Sequence, residues 1–265
     1  MCLILVAWQA HPEYPLVVAA NRDEFFKRPT AAAAFWPGGR IVAGRDLEAG
    51  GTWMGATVDG RFAALTNFRA PELHREGMAS RGQLVADYLG GDESPGAWLA
   101  RQRKDAARYN PFNLLVGDRH TLACFSSTDG KTRELAPGVY GLSNHLLDTP
   151  WPKVSAAKSS LSRALAALPD DRALFDLLRD DSIHPDDALP RTGVSLDWER
   201  LLSAAFVKAP GYGTRSSTVL IVSRGGTPVL DEQTWLEGGQ AGGRSRFRFS
   251  LTGSGSCGHA VSRRP

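Results

Sequence analysis

The apolar positions of this chain fall into two periods, and each predicts a different kind of element. Cys2–Trp8 and Leu16–Ala20 are short, nearly continuous apolar runs split by a turn at Pro12 and Pro15. Such runs predict strands covered on both faces. Asn21–Pro29 is polar and predicts a loop leaving the second strand. Thr52–Val58 and Arg61–Thr66 flank Asp59-Gly60, a two-residue hairpin signal. Leu84, Val85, Tyr88 and Leu89 share one helical face, and a second helix is expected from Ala97 to about Arg108.

Strand signals return at Phe112–Val116, Thr121–Ser126 and Val139–Leu142. Val154, Ala157, Leu161, Leu165 and Leu168 then recur at helical spacing, and further helical segments are expected at Ala173–Leu178 and Trp198–Phe206. Strands at Thr218–Ser223, Pro228–Thr234 and Phe247–Leu251 close the pattern. β-rich ends around a helical middle fit packed sheets with helices outside. Residues 1–252 read as a single domain, and the Gly/Ser/Arg stretch 253–265 has too little to bury and is expected to be disordered.

Composition narrows the function classes. Of 265 residues, 42% are hydrophobic and 22% charged, which suits a packed core. The net charge of +3 is small and its basic residues are scattered, so no nucleic-acid partner is expected. No apolar run reaches the roughly 20 residues of a transmembrane helix. The apolar start lacks a preceding positive charge and ends at Gln9, so it predicts a first strand rather than a secretion signal. Cys2, Cys124 and Cys257 are too far apart for a C-x-x-C zinc site or a disulfide framework, so a reducing, cytoplasmic setting without a metal is expected.

The candidate chemistry starts at Cys2. A methionine ahead of a small second residue is usually removed, which would give Cys2 a free α-amine. That amine titrates at about 7.7–8.0 and is a base near neutral pH, so one residue carries nucleophile and base. A buried structural cysteine is the plain alternative. Asn21, Arg22, Asp23 and Glu24 cluster at the end of the second strand, where an Asp can hold the amine and an Arg the thiolate, or a solvated turn can form. Asn67 and Asn144 end apolar strands, suiting either oxyanion donors or turn formers. Arg215 precedes a strand and reads as a carboxylate or thiolate partner or a rim charge. Trp53, Phe68 and Trp151 are candidate walls of an apolar pocket. Gly50-Gly51-Thr52-Trp53 lacks the Lys-Ser/Thr ending of a phosphate loop and predicts a close backbone approach instead.

Taken in order, these pieces resemble the NRDE family, that of the transport and Golgi organization proteins. The resemblance rests on Met1-Cys2, Ala20 to Phe25 with Arg28-Pro29, Gly50 to Trp53, Ala64 to Asn67, Tyr140 to Asn144 with Thr149 to Trp151, and Gly211 to Arg215. It implies an α+β fold of the N-terminal-nucleophile hydrolase type, a four-layer αββα sandwich of two stacked antiparallel sheets flanked by helices. It further implies Cys2 as nucleophile, Asn67 and Asn144 near the oxyanion, Arg215 as a late site arginine and Asp23 holding the amine. Arg22 and Asp23 are adjacent here, whereas the related acylases separate such a pair by two residues; Asn21 and Glu24 take the wider spacing. Two functions follow as expectations: hydrolysis of an amide or thioester, with no cofactor required, or carriage of haem or an acyl lipid such as acyl-CoA in the same pocket.

Overall fold

The computed structural model describes residues 2–251, so the expected disordered tail and the state of Met1 lie outside the described residues. One antiparallel sheet comprises β1 (Cys2–Trp8), β2 (Leu16–Phe25), β10 (Gly138–Leu142), β11 (Lys208–Ala209), β12 (Tyr212–Val222), β13 (Pro228–Trp235) and β14 (Ala241–Arg248). Its order is β10-β1-β2-β12-β13-β14, with β11 pairing β12. The other holds β3 (Thr30–Phe35), β4 (Ile41–Asp46), β5 (Met54–Thr57), β6 (Phe62–Asn67), β7 (Phe112–Gly117), β8 (Leu122–Ser126) and β9 (Thr132–Glu134), paired in chain order.

Period-2 alternation decides what each face covers. Ile4, Val6 and Val18 of the first sheet pack against Met54, Phe62 and Leu115 of the second, forming the core between sheets. Leu3, Leu5, Val17 and Ala19 point the other way, onto α3 (Pro152–Ala164) and α4 (Arg172–Leu178). Ala63, Leu65 and Leu114 turn to α1 (Gly82–Gly90) and α2 (Pro95–Asp105). The layers therefore run helix, sheet, sheet, helix, as the resemblance implied. Each face is apolar because each is covered. None of the described helices is long and apolar enough to cross a membrane.

Three expectations need correction. Asn21–Phe25 continues strand β2 instead of looping, because β12 pairs with it on one side and its polar groups find internal partners. The helix expected over Trp198–Phe206 is α5, Leu196–Leu201 only; beyond it, Lys153 Nζ donates to the Leu202 and Ala204 carbonyls (2.8 and 3.4 Å). The last strand lies at Ala241–Arg248, not Phe247–Leu251. Its apolar signal is weak because β14 is an edge strand whose Arg244 and Arg246 pair with Asp231, a charged edge of the kind that discourages further pairing. β3, β4 and β9 lie outside the strands that the apolar pattern predicts.

Candidate functional site

β1 and β2 pair in register with Cys2 opposite Arg22. Alternation then sorts the cluster onto two faces of one sheet. Cys2, Arg22 and Glu24 share the parity of Ile4, Val18 and Ala20, which face the second sheet. Asn21 and Asp23 share that of Val17 and Ala19, which face the helices. The four consecutive polar residues are two pairs with different work.

On the helix face, Asn21 Nδ2 donates to the Leu178 and Ala205 carbonyls at 2.7 and 2.8 Å, and its Oδ1 accepts from Ser217 at 2.6 Å. Its amide is spent on fastening the helical layer, on the opposite face from the thiol. Asp23 is 2% exposed, and its Oδ1 accepts a 2.7 Å hydrogen bond from Thr214 Oγ1. Burial pushes its carboxyl up, while the nearby charge of Lys153 and the Thr214 hydroxyl act to lower it. Lys153, on the first turn of α3, is buried, and burial pulls its amine down to about 8. Arg69 and Glu199 form a buried ion pair at 2.8 Å in the same region, with Arg69 lying over Trp151 at 4.9 Å.

On the inter-sheet face, Arg22 is 5% exposed and lies over the Trp53 ring, 4.5 Å from its centroid. Its guanidinium stands 4.0 Å from Glu24 and 3.8 Å from Asp46. Trp53 thus packs on Arg22 on this face of the sheet. Gly51 explains how its loop fits, because a Cβ there would lie 2.4 Å from the Gly82 carbonyl carbon. The Cys2 thiol is pushed up by burial and by the charge of Asp23, against the opposing effects of Arg22 and the Asp23 N–H. Left to itself it is a thiol at neutral pH, so catalysis would need a base beside it.

A chain of hydrogen bonds joins Cys2 to both asparagines. Ser143 Oγ lies within donating distance of the Cys2 carbonyl (3.1 Å) and of Asn144 Oδ1 (3.3 Å). Asn144 Nδ2 donates to the Asn67 carbonyl at 2.8 Å, and the Asn144 carbonyl accepts from Arg69 N at 2.7 Å. The Asn67 side-chain amide has no partner among the described residues, so it is free to donate elsewhere. Phe68, His145 and Trp151 stack in a row beside it, with centroids 4.8 and 5.8 Å apart.

Arg215 sits in a β-bulge of β12, between Thr214 and Ser216. Its Nη1 donates to the carbonyls of Phe25, Phe26 and Arg28 at 2.8, 3.3 and 3.1 Å. It holds the turn after β2 rather than bonding to Cys2. Within Gly211–Arg215 it is Thr214 that touches Asp23, a residue the sequence reading passed over. Ser143, Lys153, Arg69 and Arg81 were missed too. Ser143 adjoins Asn144, Arg69 follows Phe68 and Lys153 lies two residues past Trp151, so a place beside a candidate is their one signal; Arg81 adjoins no candidate. Cys124 is buried in β8, its thiol pushed up to about 12, and Cys257 lies outside the described residues.

The family profile described as Transport and Golgi organisation 2 matches residues 1–237. The Transport and Golgi organization protein 2 homolog of Bos taurus is 36% identical over 261 residues, covering 89% of this chain and 94% of that one. Its Homo sapiens counterpart is 35% identical over 260 residues, with the same shares. Among solved structures, a mutant conjugated bile acid hydrolase from Clostridium perfringens covers 100% of this chain and 97% of that chain, at 8% identity and a TM-score of 0.47. A likeness that distant says nothing about chemistry. With its profile matched over residues 1–237 and these relatives spanned almost end to end, the chain belongs to the Transport and Golgi organisation 2 family.

Proposed function

We propose that this protein is an N-terminal cysteine hydrolase acting on an amide or a thioester, acyl-CoA being one thioester of that class. The observation that carries the reading is the β1–β2 register. Cys2 pairs with Arg22, and antiparallel pairing directs the Cys2 backbone nitrogen along β2 toward Asp23. Removal of Met1 would leave the Cys2 α-amine beside that buried carboxylate, which would hold it as Thr214 holds Asp23 in turn.

In this reading the amine takes the thiol proton and Sγ attacks the carbonyl carbon. The oxyanion is met by the side-chain amide of Asn67 and the remaining N–H of Asn144. The C–N or C–S bond then breaks, and the protonated amine returns its proton to the leaving group. Water adds to the acyl-enzyme, releasing the carboxylic acid and restoring the thiol. A reducing, cytoplasmic setting suits such a thiol.

Haem carriage finds less support. His145 Nδ1 is engaged by Thr149 Oγ1 at 2.8 Å, and Phe68 and Trp151 already pack on its ring. A macrocycle ligated by His145 would have to part those rings, which counts against that version of the reading.

The test is intact mass of the native protein before and after exposure to a slow thioester or activated amide. The expected result is an N-terminus starting at Cys2 and an acyl adduct mapped to it, absent in Cys2→Ala. Hydrolysis undiminished in Cys2→Ala, or an active protein that retains Met1, would overturn the reading.

A further inference from the structure

Four arginines, Arg22, Arg28, Arg81 and Arg215, gather close enough for Glu24 to act on their charge, and they are not equally satisfied. Arg28 holds Asp46 at 2.7 Å and Glu48 at 3.0 Å. Arg22 donates to Thr30 Oγ1 at 3.3 Å, with its two carboxylates at 3.8 and 4.0 Å, beyond hydrogen-bond range. Arg215 is absorbed by three backbone carbonyls. Arg81 has one bond only, from Nη1 to the Pro111 carbonyl at 3.1 Å, and no carboxylate within 4.0 Å among the described residues.

Two contacts fix where Arg81 stands. The same Pro111 carbonyl accepts from Phe68 N at 3.0 Å, which anchors the guanidinium one residue from Asn67. The next residue, Gly82, offers its carbonyl to Thr52 N at 3.1 Å, beside the Trp53 that carries Arg22. Arg81 is thus held between the strand end of Asn67 and the Trp53–Arg22 stack. Its charge is felt by Cys2 and Glu24 from there. A guanidinium does not give up its proton at physiological pH, so a partly buried one with no carboxylate in contact is costly until an anion arrives.

We infer that Arg81 is an anion-recognition residue, selecting substrates that carry a carboxylate or phosphate close to the carbonyl that Cys2 attacks. The inference rests on the reading of Cys2 as the reactive group. A planar guanidinium with free N–H groups matches either anion with two parallel hydrogen bonds. Neutral acyl compounds would leave it unanswered and bind less well.

Alkylation of Cys2 tests this without a known substrate. The full-length protein is treated with iodoacetate and, separately, with neutral iodoacetamide, and the Cys2 peptide is quantified by mass. In both reactions the thiolate displaces iodide, so iodoacetamide reports nucleophilicity and the rate ratio reports charge recognition. The expected result is a preference for iodoacetate of about tenfold over that of a free cysteine peptide. The preference should be lost in Arg81→Gln and kept in Arg81→Lys, each read as the ratio of the two rates so that any change in Cys2 nucleophilicity cancels. Protection by inorganic pyrophosphate but not acetate assigns a phosphate-bearing substrate; the reverse assigns a carboxylate. A peptide-like ratio that is the same in Arg81→Gln overturns the inference while leaving Cys2 reactive. Should Cys2 resist both reagents, the hydrolase reading fails instead. Calorimetric titration with pyrophosphate and acetate then decides for Arg81: binding lost in Arg81→Gln supports the assignment, and no binding overturns it.

Discussion

Asn144 donates its side-chain N–H to the backbone carbonyl of Asn67 at 2.8 Å, tying the end of β10 in one sheet to the end of β6 in the other. One asparagine positions, and the other is left with its side chain free.

That asymmetry separates their variants. Asn144→Leu strands the Asn67 carbonyl and should cost about 1–3 kcal/mol of stability. Asn67→Ala removes only a partly exposed side chain and should cost no more than about 0.5 kcal/mol. On any amide or thioester that Cys2 turns over, however, Asn67→Ala should lower the rate by about 10²–10³, the usual effect of losing an oxyanion donor. Thermal denaturation beside a hydrolysis assay checks both; a stable Asn67→Ala with full activity would remove Asn67 from the site.

Lys153 provides a pH signature. Its amine is pulled down to about 8 in the fold against 10.5 when free, so between those values the unfolded chain holds a proton that the native state has lost. Stability from this group therefore rises with pH across that window, by an amount on the order of 3 kcal/mol, and is flat below it. The difference between native and Lys153→Met in urea melts from pH 7.5 to 10.5 isolates the effect.

Glu232 links the sheets through a carboxylate. Its Oε1 accepts from Ala33 N in β3 at 2.6 Å, and its Oε2 from Thr218 Oγ1 at 3.1 Å. Burial raises its carboxyl above the free value of 4.5, so the native state keeps a proton that the unfolded chain has released. Stability from this group is full below pH 4.5 and falls as pH rises through the folded value. Glu232→Gln, which keeps an acceptor for Ala33, should flatten that fall and match or exceed the native protein at pH 7. Glu232→Leu should lose about 1–3 kcal/mol by stranding the Ala33 N–H. Equal melts for the two variants at pH 7 would refute this role.

Gly51→Ala is expected to be costly for a steric reason. The added Cβ meets backbone atoms of Gly82 at 2.4 and 2.5 Å, with no flexible side chain to move aside. A loss of about 1–3 kcal/mol is expected. Because Gly82 follows Arg81, the anion preference of Cys2 alkylation should fall as well. An unchanged melting temperature would refute the close approach.

Much of this protein is determined by local sequence. The apolar run Cys2–Trp8 gives β1 at the same bounds, and the spacing of Leu84, Val85, Tyr88 and Leu89 gives α1, because a covered face imprints its period on the chain. The ordered pieces from Met1-Cys2 to Gly211–Arg215 likewise marked the family. What tertiary structure decided is which polar residues face one another. Asn21–Glu24 reads as a loop because polarity usually marks solvent, yet pairing to β12 keeps it in the sheet and sends alternate residues to opposite faces. No local signal marks Arg81, and Lys153 and Thr214 are marked only as neighbours of Trp151 and Arg215; all three lie far from Cys2 along the chain. Pairing register, side-chain alternation and the stacking of two sheets bring them to the site, and those depend on residues distant in sequence.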